Sequence, residues 1–184
     1  MDSLLRTALW RQFGATIDMF ENALVACPTS LWRERLWSGP PDPWFPPEFA
    51  EFWHIAYHTL FWLDLYLSGS REEDFTPPTP FIWTEVDPPV SPEQPYTKEE
   101  LRAYLASLRR KCQTTIAGLT DEKAHQQVDY PWTEGKRVSF LELLLYTMRH
   151  VQEHAAQLNL FLGQHDVEGT SDWVGQAHID EGGE

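Results

Sequence analysis

The sequence predicts an all-α domain, a four-helix bundle with a long crossover between its second and third helices. Three observations carry that prediction. Four stretches of roughly 20 residues place apolar side chains at helical spacing, Ser/Thr-x-x-Glu capping boxes open the last two of them, and a proline-rich connection exceeds any tight helical joint. At 184 residues the chain suffices for one domain with a full core and is short for two.

The first helix spans Ser3 to Ala26, with Leu5, Leu9, Phe13, Phe20 and Leu24 in helical register and Asp2 and Ser3 as N-cap acceptors. Cys27-Pro28 ends it. From Pro28 to Pro47 five further prolines accompany Trp32, Trp37 and Trp44, which reads as an irregular segment folded over the bundle. The second helix begins near Pro47 and runs to Ser68, with Gly69 as its stop. One of its stripes holds Phe49, Trp53, Ala56, Leu60, Leu63 and Leu67, and the adjoining one Ala50, His54, His58, Phe61 and Leu65. A helix with two apolar faces is buried between neighbours or reaches a subunit interface, and in the second case the spare face would join a homodimer.

Residues 70 to 96 lack a regular period, and a connection of that length lets the second and third helices run parallel. The third helix opens at Thr97-x-x-Glu100 and continues through Leu101, Tyr104, Leu105 and Leu108 to about Gly118. Between Leu119 and Val138, Thr120-Asp121-Glu122 offers one short turn, while Tyr130-Pro131-Trp132 and Gly135 leave a small hairpin and a plain loop both open. The fourth helix opens at Ser139-x-x-Glu142 and runs to Leu162 before Gly163, its inward stripe reading Leu143, Thr147, His150, His154, Gln157 and Phe161. The bundle thus occupies residues 1–165, and 166–184 form an acidic C-terminal tail, partly disordered or docked through Trp173.

Composition excludes several functions. The formal charge of -14 argues against an extended phosphate-binding surface, so no nucleic-acid partner is expected. The two cysteines, Cys27 and Cys112, form no C-x-x-C pair and no disulfide framework. No run approaches the roughly 18 apolar residues of a membrane span, and Met1 to Arg6 lack the apolar core of a signal peptide, so the expected location is cytoplasmic, with no membrane partner.

The chemistry lies in the histidines. Four of the seven form i,i+4 pairs, His54 with His58 and His150 with His154, a spacing that sets both imidazoles on one stripe of a helix. His150 and His154 are flanked by apolar residues along their stripe and point inward, where unpaired imidazoles need hydrogen-bond partners or a metal. Two histidines from the fourth helix and one from the second make a three-ligand site with open positions, the construction of catalytic rather than structural zinc sites. Periodicity does not rank His54 against His58. The fourth helix lacks the H-E-x-x-H order of zinc proteases, since Glu153 directly precedes His154, and it lacks the Glu-x-x-His pairs of di-iron bundles.

Trp53-His54-Ile55-Ala56-Tyr57-His58-Thr59-Leu60-Phe61-Trp62-Leu63, followed by Met148-Arg149-His150-Val151-Gln152-Glu153-His154-Ala155-Ala156-Gln157-Leu158-Asn159, resembles the DinB-like (DinB/YfiT) superfamily of metal-dependent bundle proteins. The resemblance covers most of the chain, and its second motif, His-x-x-x-His-x-x-Gln-Leu, is the more specific. It implies one divalent metal ion, zinc or nickel, held by His58, His150 and His154, with His54 as the alternate ligand or a partner of the ligands. It also implies the long crossover. Characterised relatives include thiol-dependent S-transferases, a mycothiol-dependent isomerase and the N-terminal domain of sulfoxide synthases, whereas many members have no assigned activity, so membership leaves the reaction open.

Two readings of function follow. The first is a metal-dependent enzyme, a thiol-dependent S-transferase or a hydrolase, acting on a small-molecule substrate, with a low-molecular-weight thiol or water in the open position. Glu153, Tyr57, Asp64 and Gln157 are weak candidates for direct chemistry: Glu153 lies about 60° off the histidine stripe, toward solvent, and Asp64 and Gln157 have equally good structural roles. Trp32, Trp37, Trp44 and Trp132 suit a pocket wall, though core and loop-docking roles are commoner. The second reading is a non-catalytic, stress-associated bundle that binds metal or a partner. A metal-free bundle with hydrogen-bonded core histidines is the plainest alternative.

Overall fold

The structure, a computed structural model, describes residues 2–39, 45–85, 88–130, 137–168 and 173–177. Helix α1 (Ser3–Ala26) starts where the Asp2 carboxylate accepts the Leu4 N–H at 2.8 Å and ends as the Cys27 N–H returns to the Ala23 carbonyl. Helices α2 (Phe52–Ser68), α3 (Lys98–Ala117) and α5 (Phe140–Gln164) complete the bundle, and a five-residue helix, α4 (Asp121–His125), precedes the last of them. The predicted all-α class holds, and the fourth predicted helix is α5.

The second helix is shorter than its apolar pattern. Pro47–Ala50 form a 3₁₀ turn, Glu51 is extended and bridges Arg35, and α2 starts only at Phe52. Carbonyls of the preceding loop explain the break: Glu34 accepts the Phe52 N–H at 3.0 Å and Trp32 accepts the Trp53 N–H at 3.1 Å, satisfying donors that a helix start leaves free. At its other end Gly69 takes the left-handed conformation, φ 65°, as the stop signal predicts. The end of α5 differs slightly. The helix runs through Gly163, and the left-handed residue is Asp166, with φ 57°.

The bundle packs α1 against α5 and α3, and α2 against the same two, so α1 and α2 lie across a diagonal. Directions follow from paired residues. Tyr96 packs on Trp53 and Tyr57 while Tyr104 reaches Asp64, so α2 and α3 run parallel, as the long crossover allows. Phe52 meets Phe161 and Tyr66 meets Tyr146, so α2 and α5 are antiparallel. Phe13, Ile17, Phe20, Tyr57, Leu60, Leu105, Phe140 and Leu158 are fully or almost fully buried at the centre.

The crossover is held on α2 by aromatic contacts. Phe81 stacks on Tyr57 and Tyr104, and Trp83 meets Phe61 edge-on at 4.5 Å. Between α4 and α5 a two-residue antiparallel ladder pairs Gln127 with Ser139 and Val128 with Val138, a hairpin rather than a plain loop; Pro131, Trp132 and Gly135 lie outside the described residues. In residues 173–177 the contacts come from Ala177 and from Gly175, whose carbonyl accepts from Gln12 Nε2 at 3.2 Å, and not from Trp173, which is 74% exposed. The Ala177 N–H donates to the Arg11 carbonyl, and a Cβ at Gly14 would lie 2.4 Å from the Ala177 Cβ, so only glycine admits this approach. No described helix is long and apolar enough to cross a membrane.

Candidate metal centre

Where α2 and α5 pass antiparallel, His58 comes to face His150 and His154. Their ligand atoms all lie within 4.8 Å of one another, the group of three among the described residues that could hold a metal ion. All three rings are partly buried. His150 Nε2 is 3.1 Å from His58 Nε2 and 3.0 Å from His154 Nε2.

Those two contacts decide what the arrangement suits. An imidazole nitrogen carries either one proton or one lone pair, so His150 Nε2 forms at most one full hydrogen bond, and its two short contacts must share a single proton. A cation between the rings removes the conflict, because every Nε2 lone pair then points at positive charge. Three nitrogens about 2.0–2.1 Å from one zinc ion lie roughly 2.9–3.4 Å apart for ligand angles of about 90–110°, which covers both distances. The residues therefore suit a divalent ion, with three protein donors.

The outward nitrogens are set differently. His154 Nδ1 is 2.8 Å from Gln157 Oε1, which accepts its proton. His58 Nδ1 pairs with Glu85, whose other oxygen accepts the Trp62 Nε1–H at 3.2 Å. His150 Nδ1 is buried without a hydrogen-bond partner. Burial, reinforced by the neighbouring histidines, pushes His150 down to about 2, and burial with His58 pushes His154 down to about 4. Both are neutral at pH 7 and available as ligands. Burial alone would raise the Glu85 carboxyl, but hydrogen bonds and charge from His58 outweigh it and hold the group below its ordinary range.

His54 stands apart from this group. Its ring is 1% exposed, stacks on Phe49 at 3.9 Å and meets Trp53 edge-on. Neither ring nitrogen has a hydrogen-bond partner of ordinary geometry, although the Phe49 backbone weakly favours the protonated form. Burial dominates and pushes the imidazole down to about 4.

The proposed helpers also separate. Gln157 touches the site through His154. Tyr57 is fully buried and donates to the Ile82 carbonyl, facing the crossover. Asp64 accepts from Tyr104 Oη at 2.7 Å and pairs with Lys111, which ties α2 to α3. Glu153 is exposed. Trp32 is a docking residue whose Nε1–H donates to the Tyr96 carbonyl at 2.9 Å. Trp37 lines a groove of about 130 Å³ with Leu36, Gln157, Leu160 and Phe161, whereas Trp44 and Trp132 lie outside the described residues. A larger cavity of about 850 Å³, between Gly69, Gln126, Tyr130 and Arg137, is not lined by the histidines.

Four residues beside the site escaped sequence reasoning. Trp62 and Tyr66 follow His58 on α2, and Tyr146 precedes His150 by one turn on α5; Trp62 meets Tyr66 at 5.4 Å, Tyr66 meets Tyr146 at 5.7 Å, and Tyr146 lies parallel to His150 at 6.5 Å. Extending the histidine stripes by one turn would have found Trp62 and Tyr146, and by a second turn Tyr66. The fourth, Glu85, lies in the aperiodic crossover, where no pattern marks it.

The sequence model of the DinB superfamily matches residues 12–158. The chain belongs to the DinB superfamily. Comparison with curated proteins gives no match. For a DinB-superfamily protein, the His58, His150 and His154 cluster is a site able to hold a metal ion, placed on the two helices that carry the family-like motifs.

Proposed function

We propose that this DinB-superfamily protein is a metal-dependent enzyme acting on a small molecule, with His58, His150 and His154 holding zinc or nickel. The observation that carries the reading is the double contact at His150 Nε2, where one proton at most serves two neighbouring nitrogens and a cation would serve all three. A divalent cation held there would supply Lewis acidity and lower the pKa of a thiol or water in the open position.

The chain's own groups favour a thiol from outside over one of its own. Cys27 and Cys112 are both buried, burial pushes the Cys27 thiol up to about 12 and the Cys112 thiol is raised as well, so neither is a nucleophile near neutral pH. His154 and His58 are aimed by Gln157 and Glu85, and the partly exposed rings of Trp62 and Tyr146 beside His58 and His150 favour an apolar electrophile. Transfer of a low-molecular-weight thiol to such an electrophile is the favoured reaction, with hydrolysis of the same substrate class second.

The test is turnover of a panel of thiols and electrophiles by zinc- or nickel-loaded protein, comparing the parent with His154→Ala. Thiol-dependent turnover that falls at least 100-fold in the variant supports the reading. Equal turnover in both proteins removes the metal chemistry, and metal binding without turnover leaves the non-catalytic bundle.

A further inference from the structure

Of the three histidines, His58 alone has an anionic partner, and that partner comes from a segment with no helical register of its own. Glu85 Oε1 pairs with His58 Nδ1 and Glu85 Oε2 accepts from Trp62 Nε1, so both carboxylate oxygens are used on donors one turn apart along α2. The crossover delivers this carboxylate on a tethered backbone. The Ile82 carbonyl accepts from Tyr57, the Ile82 N–H donates to Tyr96 Oη at 3.0 Å, Trp83 Nε1 donates to the Phe75 carbonyl at 3.2 Å, and the Thr84 carbonyl accepts the Val90 N–H at 2.9 Å. The Glu85 side chain is 25% exposed, unlike a solvated surface charge.

A neutral imidazole has one proton, and the partner of one nitrogen decides which nitrogen is left with its lone pair. We propose that Glu85 is a positioning residue of the metal centre: its carboxylate holds the His58 proton on Nδ1, keeps Nε2 bare toward His150 and His154, and so sets the affinity of the site for a divalent cation. This role rests on the three-histidine reading and goes beyond it, since it makes the crossover part of the site. It also makes the carboxylate hard to replace. Glutamine offers one carbonyl oxygen to two converging N–H donors, and its amide group can serve His58 only by donating to Nδ1, which moves the imidazole proton to Nε2 and blocks it.

The experiment measures zinc affinity by competition with a chelating dye for full-length parent, Glu85→Ala, Glu85→Gln and the double variant Glu85→Gln/Trp62→Phe. Imidazole ¹⁵N spectra of the metal-free proteins report the His58 tautomer. Glu85→Ala and Glu85→Gln are expected to bind zinc roughly 10- to 100-fold more weakly than the parent, with the His58 proton shifted away from Nδ1. The double variant, in which the competing indole N–H is gone, is expected to regain most of the affinity, a rescue that mere bracing of the crossover would not produce. Parent-like affinity and an unchanged His58 tautomer in Glu85→Ala would overturn the role of Glu85 while leaving the three-histidine site intact. Failure of the parent to bind zinc would remove both.

Discussion

His58 and His150 lie 92 residues apart in sequence, yet their Nε2 atoms face each other at 3.1 Å across the seam between α2 and α5. The first prediction concerns these ligands. Protein purified without a histidine tag and dialysed against excess zinc should retain one ion per chain by elemental analysis. His58→Ala, His150→Ala and His154→Ala should each reduce zinc affinity by at least 100-fold, whereas His54→Phe should retain it.

His54 supplies the second, a pH dependence with a defined sign. The unfolded side chain titrates near its ordinary value of 6.5, and burial holds the folded one down to about 4. Between those values the unfolded chain binds a proton that the folded chain does not. The parent is therefore unaffected above about pH 6.5, loses stability as the pH falls toward 4, and loses nothing more from this residue below that. The full window is on the order of 3 kcal/mol. Urea unfolding at a series of pH values should show His54→Phe gaining on the parent across this window; parallel curves would place the titration elsewhere.

A third prediction separates bracing from chemistry. Asp64 is buried and bonded to Tyr104 and Lys111, so Asp64→Ala leaves Tyr104 Oη without its acceptor and Lys111 with only the main-chain carbonyl of residue 64, and should cost about 1–3 kcal/mol in unfolding. Zinc affinity of the folded variant should match that of the parent.

The fourth tests the seat of residues 173–177. Any Cβ at position 14 must sit 2.4 Å from the Ala177 Cβ, so the branched side chain of Gly14→Val forces the segment off α1. Amide exchange at Ala177, whose N–H donates to Arg11, should rise at least 10-fold while protection in α2 and α5 stays unchanged.

Most of the fold was legible because its signals are local. The capping box at Thr97 and the Ser139 cap, whose hydroxyl accepts the Glu142 N–H, fix the starts of α3 and α5, and the aperiodic length of 70–96 permits a parallel crossover. The start of α2 was not legible, because carbonyls of Trp32 and Glu34, distant in sequence, take its first N–H groups while the apolar stripe reads on through Glu51. The same limit applies to the site. Spacing put His150 and His154 on one face, but His54 and His58 share a stripe, and only the side of α2 that turns toward α5 separates a buried ring on Phe49 from one facing two imidazoles. Glu85 reaches His58 through tertiary packing alone.

Whether one cation sits among the three imidazoles is read most directly from an anomalous-difference map at the zinc edge, using crystals grown with zinc. A single strong peak is expected about 2.0–2.1 Å from Nε2 of His58, His150 and His154. No peak between those rings, with zinc present at other positions or absent altogether, would contradict the three-histidine centre.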